Sequence, residues 1–356
     1  MPRRSVKTMP KVQALIAPEP TLPGTTGAVG IDVSKATFHA CYLAHSTARP
    51  QAGVFSADAA GHAKFLAWLD RIGTHHSLHL CLEETGCYGR ALGTFLHQAG
   101  HHVSIVNAAL IKNYGRSLNL RTKNDHVDAQ LIAGYTLERV PARWQPIEPQ
   151  HQALRDAARR RQQLLNLLLQ EKNHLEATLS STIRGSIEAT IAALKQQITA
   201  IETLMKTLIS ADPSLSHNLA LLISIPGIGQ LTAMFLLAEL PPLDGFTSAR
   251  QLSAYAGLTP REHQSGTSVK GRSRLCKQGR GGLRKLFFMP AVSLMKSKAG
   301  PLRIFADRLL AAAKKPACVV GALMRKLSGL VFAVLRSGKP FDPHYARTMA
   351  LPASGK

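Results

Sequence analysis

The chain has 356 residues, of which 45% are hydrophobic, so it is long and apolar enough for two or three folded domains and is not a disordered protein. Its 44 lysine and arginine residues outnumber 21 acidic residues and give a net charge of +23, which favours nucleic acid as the partner. The five cysteines contain no CxxC pair and are odd in number, so they predict neither a disulfide framework nor a zinc site and fit a reducing cytosol.

Two segments raise the question of a signal sequence or a membrane span. Residues 1–26 are basic and contain prolines but have no long apolar core, so we expect a flexible basic tail and no secretory signal. The run Leu219–Leu240 is almost uncharged and long enough to span a membrane. Pro226 and Gly227 interrupt it in the middle, so no membrane association is predicted.

Residues 27–145 show short apolar runs that alternate with helical patterns, which indicates an α/β domain. This mixed region is expected to form a first domain, distinct from the helical patterns that follow it. The predicted strands are Val29–Asp32, its hairpin partner Phe38–Leu43, Leu78–Leu82 and Val103–Val106, and the predicted helices are Ala59–Arg71, Tyr88–Gly100 and Ala129–Glu138.

Two acidic residues close apolar strands of this domain. Asp32 lies within Val29–Ser34, where a charged group is costly unless a positive charge compensates for it. A divalent metal of the magnesium class, which takes oxygen ligands, is one such compensation. Glu83 follows the strand Leu78–Leu82 in the same way. The alternative for Asp32 is an aspartate that caps a turn at the end of the strand.

A second pair of acids, Asp125 and Asp128, has the spacing i, i+3, which places both side chains on one face at the start of a helix. Asp125 could equally be a helix N-cap, with Asp128 at the third helical position. Together with two acids at strand ends, the pair suits two divalent metals about 4 Å apart in phosphodiester chemistry. Arg121 and Lys123, just before the pair, could neutralise a phosphate.

A proline-rich segment at residues 141–149 marks a linker, and residues 146–212 follow as a long helical region. Apolar residues from Ile187 to Leu208 repeat at alternating spacings of four and three. A similar apolar seam, which includes Arg161 and Leu179, precedes them. Gly185 lies between the two halves and suggests an antiparallel helical hairpin. An intramolecular helix pair and a dimerisation coiled coil both fit this pattern.

The last region, residues 213–340, is predicted to be mainly helical and is followed by a tail at 341–356. Its motif Pro226–Gly229 is similar to the turn of a helix-hairpin-helix, in which backbone N–H groups around Gly227 and Gly229 can meet a phosphate. A tight helix–helix turn is the alternative. Helices are predicted at Leu302–Ala313 and Val319–Leu335.

Residues 261–285 are rich in glycine, serine and cations. Phosphate contacts are the expected use of such a density of positive charge, and a solvated basic loop is the alternative. The cations are Lys270, Arg272, Arg274, Lys277, Arg280, Arg284 and Lys285.

Several separate motifs, in one order over residues 28–335, resemble those of the DEDD-type insertion-sequence transposases, the insertion-sequence family numbered one hundred and ten, which includes the Piv/MooV-like invertases. Asn124 stands where the family more often has threonine, and Lys314-Lys315 where Gly-Lys is more usual. The motifs are Gly30-Ile31-Asp32-Val33-Ser34-Lys35, Glu83-Glu84-Thr85-Gly86-Cys87-Tyr88, Lys123-Asn124-Asp125-His126-Val127-Asp128-Ala129, Ile225–Gly229, Tyr255–Pro260, Ser265-Gly266, Lys277-Gln278-Gly279 and Leu283-Arg284.

The resemblance implies a RuvC-like, RNase H-type N-terminal domain, a coiled-coil middle and a C-terminal transposase domain. It implies one or two Mg²⁺ ions held by Asp32, Glu83, Asp125 and Asp128. It also implies a serine nucleophile at Ser265, with Ser268 as the second candidate. A serine hydroxyl needs a base or a metal nearby, so the two domains, from one subunit or from two, are expected to meet in a composite site.

The resemblance further implies partners and a cellular location. A structured bridge RNA, encoded beside the gene, would pair with donor and target DNA. The protein would be a dimer or tetramer in the bacterial cytoplasm, with the nucleoid. Two other functions remain open from the residues, namely a RuvC-like junction-resolving nuclease without a covalent step, and a non-catalytic basic scaffold that leaves the four acids unexplained.

Overall fold

The structure is a computed structural model, which describes residues 26–44, 49–73, 77–84, 86–120, 124–261, 264–265, 269–270, 274–297 and 299–343. The chain divides into two compact units, Met1–Ile147 and Glu148–Lys356. Several sequence-based predictions fall outside the described residues, namely nearly all of both tails and the candidate residues Arg121, Lys123, Ser268 and Arg272.

The first unit is a mixed α/β fold, as predicted. Every strand and helix expected from the sequence is present, and β3 and α3 are additional. Its elements in chain order are β1 (Gly27–Val33), β2 (Thr37–Ala44), β3 (Gln51–Ser56), α1 (Ala59–Ile72), β4 (Leu78–Glu83), α2 (Cys87–Gln98), β5 (His102–Val106), α3 (Ala108–Ser117) and α4 (Asp125–Arg139).

The five strands of the first unit form one sheet in the order β3-β2-β1-β4-β5. The strand β1 pairs antiparallel with β2 and parallel with β4. The strand β2 pairs antiparallel with β3, and β4 pairs parallel with β5. The carboxyl ends of β1 and β4 therefore lie next to each other at one edge of the sheet.

The two faces of β1 pack against different helices, because successive side chains of a strand point to opposite faces. Val29 and Ile31 are completely buried in a core that includes residues of α1 and α2. Gly30 points the other way, where a Cβ atom would collide with the backbone of Ala129 and Ala133 in α4. The absence of a side chain at Gly30 thus lets α4 pack directly on the strand that carries Asp32.

The second unit is mostly helical. Besides its helices, the described residues include four short strands and a 3-10 turn at Leu243–Gly245. Its other elements are α5 (Pro149–Ala177), α6 (Ser181–Ser210), α7 (Pro213–Ile223), α8 (Gln230–Glu239), α9 (Ala249–Tyr255), β6 (Pro260–Arg261), β7 (Gln264–Ser265), β8 (Val269–Lys270), β9 (Arg274–Leu275), α10 (Gly281–Leu286), α11 (Phe288–Lys296), α12 (Pro301–Ala311) and α13 (Pro316–Ser337).

The helices α5 and α6 form an antiparallel hairpin, in which Leu164 of α5 packs with Leu194 and Ile198 of α6. The connection is at residues 178–180, so the expectation that Gly185 separates the helices is wrong, because Gly185 lies inside α6. Leu179, expected on the apolar seam, lies in this connection and is 97% exposed. A role of the hairpin in joining two chains stays a prediction.

The apolar run Leu219–Leu240 spans α7 and α8, which are separated by the expected Pro-Gly turn. In the described part of the chain, one helix, α13, is long and apolar enough to cross a membrane. Its residues Leu323, Leu327 and Val331 are completely buried in the core of the second unit. The helix α13 is therefore a core helix, and core helices can be as long and as apolar as membrane-spanning ones.

Candidate active site and nucleic-acid interface

Asp32 and Glu83 lie side by side at one edge of the sheet. The parallel register of β1 and β4 pairs Ile31 with Leu82, and the two acids are the next residues along these strands. Both side chains are half-buried. Because Asp32 is two residues beyond Gly30, it lies on the face of the sheet that α4 covers. The two strand-end acids expected from the sequence are thus brought together by strand register.

The other two acids lie in the first turn of α4. The N-cap of this helix is Asn124, whose side-chain oxygen accepts a hydrogen bond of 2.8 Å from the backbone N–H of Val127. The alternative that Asp125 is the N-cap is therefore wrong, and its carboxylate is not used for that purpose. Asp125 is exposed and Asp128 is half-buried. Both acids are stabilised by the positive end of the helix dipole.

His39 connects the two sets of acids. It lies directly opposite Asp32 in the antiparallel register of β1 and β2. Its Nε2 atom is 3.6 Å from Oδ2 of Asp125. The first turn of α4 is therefore next to the carboxyl end of β1. Sequence reasoning missed His39, although the alternation along β2, with Phe38 and Ala40 in the core, would have placed it on the same face as Asp32.

Glu84 is the neighbouring acid that could be mistaken for Glu83. Its Oε1 atom accepts a hydrogen bond of 2.9 Å from Nη2 of Arg90 in α2, and both side chains are half-buried. Its backbone N–H donates to the carbonyl oxygen of Val106 at 2.8 Å. Glu84 thus fastens the end of β4 to α2 and β5, and Glu83 remains the better candidate for a metal ligand.

Cys81 lies two residues before Glu83 and is also on the face covered by α4. It is completely buried beside Ile132 of α4. This burial raises the pKa of its thiol to about 12, so the sulfur stays protonated near neutral pH. Cys81 is therefore a core residue and not a nucleophile.

The carboxylates of Asp32, Glu83, Asp125 and Asp128 offer only oxygen atoms, which are the ligands that Mg²⁺ prefers. Their chemistry thus fits the metal. Among the described residues, however, no group of three or more His, Cys, Asp or Glu side chains is arranged to hold a metal ion. The structure gathers the four acids on neighbouring elements without closing a metal site, and their role as ligands stays a prediction.

Ser265 lies in a segment of the second unit that contains two separate pairs of short strands. The strands β6 and β9 pair antiparallel, and β7 and β8, which lie between them in the chain, pair with Ser265 opposite Val269 and Gln264 opposite Lys270. At the base of the arm, Cys276 N–H donates to the carbonyl oxygen of Thr259 at 2.8 Å. We call residues 257–277 the serine arm. Ser265 thus belongs to a short strand pair in a segment whose two ends are joined by backbone hydrogen bonds.

The cations predicted to bind nucleic acid differ in their surroundings. Arg274 and Lys277 are exposed, whereas Arg280 and Arg284 are half-buried. Arg280 donates from Nε to the Tyr255 hydroxyl at 3.0 Å. Arg284 donates from Nη1 to two backbone carbonyls. Contacts with nucleic acid by these residues stay a prediction, and the two half-buried arginines also have a structural role.

The Pro226–Gly229 motif forms the turn between α7 and α8. Gly227 has a φ of +86°, which favours glycine, and a Cβ there would press on Pro290 and Leu294 of α11. No side chain caps the N-terminus of α8, and the space next to Gly229 is open. The geometry is that of a helix-hairpin-helix turn, in which uncapped N–H groups can meet a phosphate.

An α/β unit with acids at adjacent strand ends and a mostly helical, cation-rich unit together fit the class of enzymes that act on DNA. Residues 29–183 match the DEDD transposase family of IS110 elements, described as "Transposase". Residues 219–305 match the family described as "Transposase IS116/IS110/IS902 family". The chain belongs to the IS110 family of transposases, so it is a DNA recombinase. Membership of a DEDD family implies a divalent metal and DNA substrates.

Full-length relatives agree with this assignment. The chain is 35% identical to the "Pilin gene-inverting protein" of Moraxella bovis over 318 residues, which cover 88% of this chain and 97% of the relative. It has the same identity and coverage with the protein of that name from Moraxella lacunata. It is 24% identical to the "Transposase for insertion sequence element IS1328" of Yersinia enterocolitica, over 88% of this chain and 98% of the relative.

Proposed function

We propose that this chain is an insertion-sequence recombinase that cuts and rejoins DNA through a Mg²⁺-dependent carboxylate site and a covalent phosphoserine intermediate, guided by a bridge RNA. The observation that carries the proposal is the placement of Asp32 and Glu83 side by side on parallel strands, on the face covered by the helix that begins with Asp125. Family membership adds the DNA substrate. The strand order and the helices on both faces agree with a RuvC-like, RNase H-type fold.

In this proposal Asp32, Glu83, Asp125 and Asp128 hold the metal. Mg²⁺ held by these carboxylates would supply positive charge that stabilises a phosphate and favours an attacking hydroxyl. The chain itself positions the carboxylates by three devices. Strand register sets Asp32 beside Glu83, Asn124 caps the helix that begins with Asp125, and Gly30 lets this helix approach.

The covalent step is assigned to Ser265. Its Oγ atom attacks a DNA phosphorus, so that an Oγ–P bond forms while the bond from phosphorus to one deoxyribose oxygen breaks. The serine proton goes to a base, and the leaving oxygen takes up a proton and becomes a free hydroxyl. The phosphoserine ester keeps the bond energy, so a hydroxyl of another DNA strand can reverse the step and rejoin the ends without an external energy source.

Binding of nucleic acid is assigned to the turn at Gly227 and Gly229 and to the cations of this region other than Arg284, which are Lys270, Arg272, Arg274, Lys277, Arg280 and Lys285. The charge of +23 suits a complex that contains donor DNA, target DNA and a guide RNA. The hairpin of α5 and α6, with Leu179 exposed at its connection, is the proposed element for assembly into a dimer or tetramer.

The test is a denaturing gel of a strand-transfer reaction. Purified protein is incubated with Mg²⁺, the RNA transcribed from the noncoding sequence beside its gene, and labelled donor and target DNA. We expect a labelled protein–DNA adduct that is lost in Ser265→Ala and retained in Ser181→Ala, a serine at the start of α6. Cleaved DNA without an adduct would instead favour a RuvC-like junction nuclease. An adduct that survives Ser265→Ala and is lost in Ser268→Ala would move the nucleophile to Ser268.

A further inference from the structure

Arg284 has contacts that are unusual for a cation in a predicted DNA-binding segment. It lies in α10, and its Nη1 atom donates to the carbonyl oxygen of Ala256 at 3.2 Å and to that of Lys277 at 3.1 Å. Ala256 directly precedes the serine arm, and Lys277 is its last residue. One guanidinium therefore bridges the two ends of the arm.

The backbone around this bridge is packed so closely that two of its positions have no room for a side chain. Gly257 has a φ of +68°, and a Cβ there would meet Nη1 of Arg284 at 2.6 Å. Gly279 has a φ of +139°, and a Cβ there would collide with the carbonyl oxygen of Tyr255. The two chain segments at the base of the arm thus approach as closely as glycine permits, and Arg284 occupies the space that Gly257 leaves.

The bridge continues into the backbone ladder of the arm. The N–H of Lys277 donates to the carbonyl oxygen of Gly257 at 3.1 Å, and that of Cys276 to Thr259 at 2.8 Å. The pair Pro260–Leu275 follows, and Ser265 lies between these two residues in the chain, in a separate two-stranded pair with Val269. A change at the bridge would therefore shift both ends of the segment that carries Ser265, and a displacement of about 1 Å at a reacting group costs on the order of 100-fold in rate.

We propose that Arg284 is a positioning residue, which fixes the direction of the serine arm through its two backbone hydrogen bonds, and that it does not bind DNA. This inference rests on the proposed function, because it assigns the arm the task of presenting Ser265. Both bonds come from Nη1, whose two N–H groups are held in fixed directions by the guanidinium plane and which lies one bond farther from the backbone than Nζ of lysine. Arg284→Lys therefore keeps the charge and removes the bridge.

Arg303 provides a matched control in the same unit. It lies in α12 and also donates from Nη1 to two backbone carbonyls, those of Met295 and Ser297. Arg303→Lys removes the same kind of bridge at a place without any assigned role in the reaction. Comparison of the two variants separates a specific effect on the arm from a general loss of stability, which is checked by their thermal unfolding midpoints.

The experiment measures adduct formation at saturating DNA, affinity for a labelled random-sequence DNA duplex at several salt concentrations, and hydrogen exchange of the amides of Cys276 and Lys277. For Arg284→Lys we expect adduct formation to fall on the order of 100-fold. We expect its DNA affinity and salt dependence to match those of the wild type, and the two amides to exchange faster. Arg303→Lys should change none of these three readouts.

Three results would overturn the inference. The first is an Arg284→Lys variant with normal adduct formation. The second is an Arg284→Ala variant whose salt slope falls by about one, the sign of a lost phosphate contact. The third is unchanged exchange at the base of the arm. If wild-type protein forms no adduct, the serine chemistry is wrong, and faster exchange in Arg284→Lys then supports only the structural bridge.

Discussion

Nε2 of His39 lies 3.6 Å from Oδ2 of Asp125, which places the first turn of α4 against the second strand of the sheet. His39 is also the cross-strand partner of Asp32. Asp32 and Asp125, which lie far apart in the chain, therefore share one neighbour. The carboxylates are positioned by the sheet and by a helix packed on it, and such elements hold a site more rigidly than loops do.

This placement predicts the effect of neutralising single acids. Asp32→Asn and Asp128→Asn should each lower strand transfer at least about 100-fold, because loss of groups that only support a metal ligand already costs about 10- to 100-fold. Affinity for random-sequence duplex DNA should not fall, since lysine and arginine provide it. The measurement is single-turnover strand transfer beside a DNA-binding titration.

Asp156→Asn is the control for this series, because Asp156 is an exposed acid of α5 that contacts Arg159 and Gln152 of its own helix. It should leave strand transfer unchanged. Full activity of Asp32→Asn would contradict the assignment of Asp32 as a metal ligand.

A second prediction concerns Gly30. In Gly30→Val the new side chain would collide with the backbone of Ala129 and Ala133, so α4 must move away from β1. Overpacking of this kind costs about 1–3 kcal/mol of unfolding free energy. The displaced helix carries Asp125 and Asp128, so strand transfer should fall as well. Urea unfolding followed by tryptophan fluorescence reports on this unit, since both tryptophans of the chain, Trp68 and Trp144, belong to it.

Gly134→Ala is the matched control, because Gly134 lies in the same helix and a Cβ there would be 3.4 Å from Oη of Tyr114. Alanine has a higher helix propensity than glycine, so Gly134→Ala should leave the free energy of unfolding unchanged or raise it by up to about 1 kcal/mol. If Gly30→Val and Gly134→Ala had the same stability, the close approach of α4 to Gly30 would not matter.

The elements of the first unit that sequence patterns predicted are those with buried apolar runs, such as β1 and β4. The strand β3 was missed because it is an exposed edge strand that pairs only with β2 and contains Gly53. The apolar pattern of α4 begins only at Ala129, whereas the paired acids Asp125 and Asp128 and the cap Asn124 mark its true beginning. Apolar periodicity reveals the core face of a helix and not its polar first turn.

The candidate functional residues also differ in whether a sequence pattern indicates them. The four acids could be proposed from the sequence, because Asp32 and Glu83 each end an apolar run and Asp125 and Asp128 have the i, i+3 spacing of a helix start. The structural role of Arg284 could not be found, because its partners are backbone carbonyls at positions 256 and 277, and no side-chain pattern encodes them. Ser265 has no local signal beyond a glycine-rich basic loop, and its assignment comes from the family resemblance.

A third prediction concerns pH. Burial lowers the pKa of His79 to about 3, and the nearby His102 acts in the same direction. The ring of His79 is edge-on to that of His102, and its Nε2 is 2.8 Å from Oγ of Ser104. An unfolded histidine has a pKa near 6.5, so the unfolded state binds an extra proton between about pH 6.5 and pH 3. The contribution of neutral His79 is therefore complete above about pH 6.5 and is lost as the pH falls.

For this single group the expected loss between pH 7 and pH 5 is roughly 2 kcal/mol of unfolding free energy. Urea unfolding at the two pH values, again followed by tryptophan fluorescence, measures it. In His79→Gln the amide can still contact Ser104 but does not titrate, so the difference between the two pH values should shrink. An equal difference in the variant and the wild type would show that His79 is not the group responsible.

The final prediction concerns Arg161, the one polar residue that the heptad pattern placed at an apolar position of α5. Its Nε donates to Oε1 of Glu202 in α6 at 2.6 Å, and its guanidinium lies 4.9 Å from the ring centre of Phe235 in α8. Arg161 therefore joins three helices, whereas Glu202 joins two. Arg161→Gln should cost more unfolding free energy than Glu202→Gln, by about 0.5–1 kcal/mol for the lost contact with the ring.

A double-mutant cycle of Arg161→Gln and Glu202→Gln, measured by far-UV circular dichroism in urea, tests this account. Contacting residues typically give a coupling energy of about 0.5–3 kcal/mol. In a background that already carries Phe235→Leu, the two single variants should become about equal in cost, because the ring that distinguishes them is absent. If Arg161→Gln remained the more costly variant in that background, Arg161 would stabilise the hairpin by a contact other than Phe235.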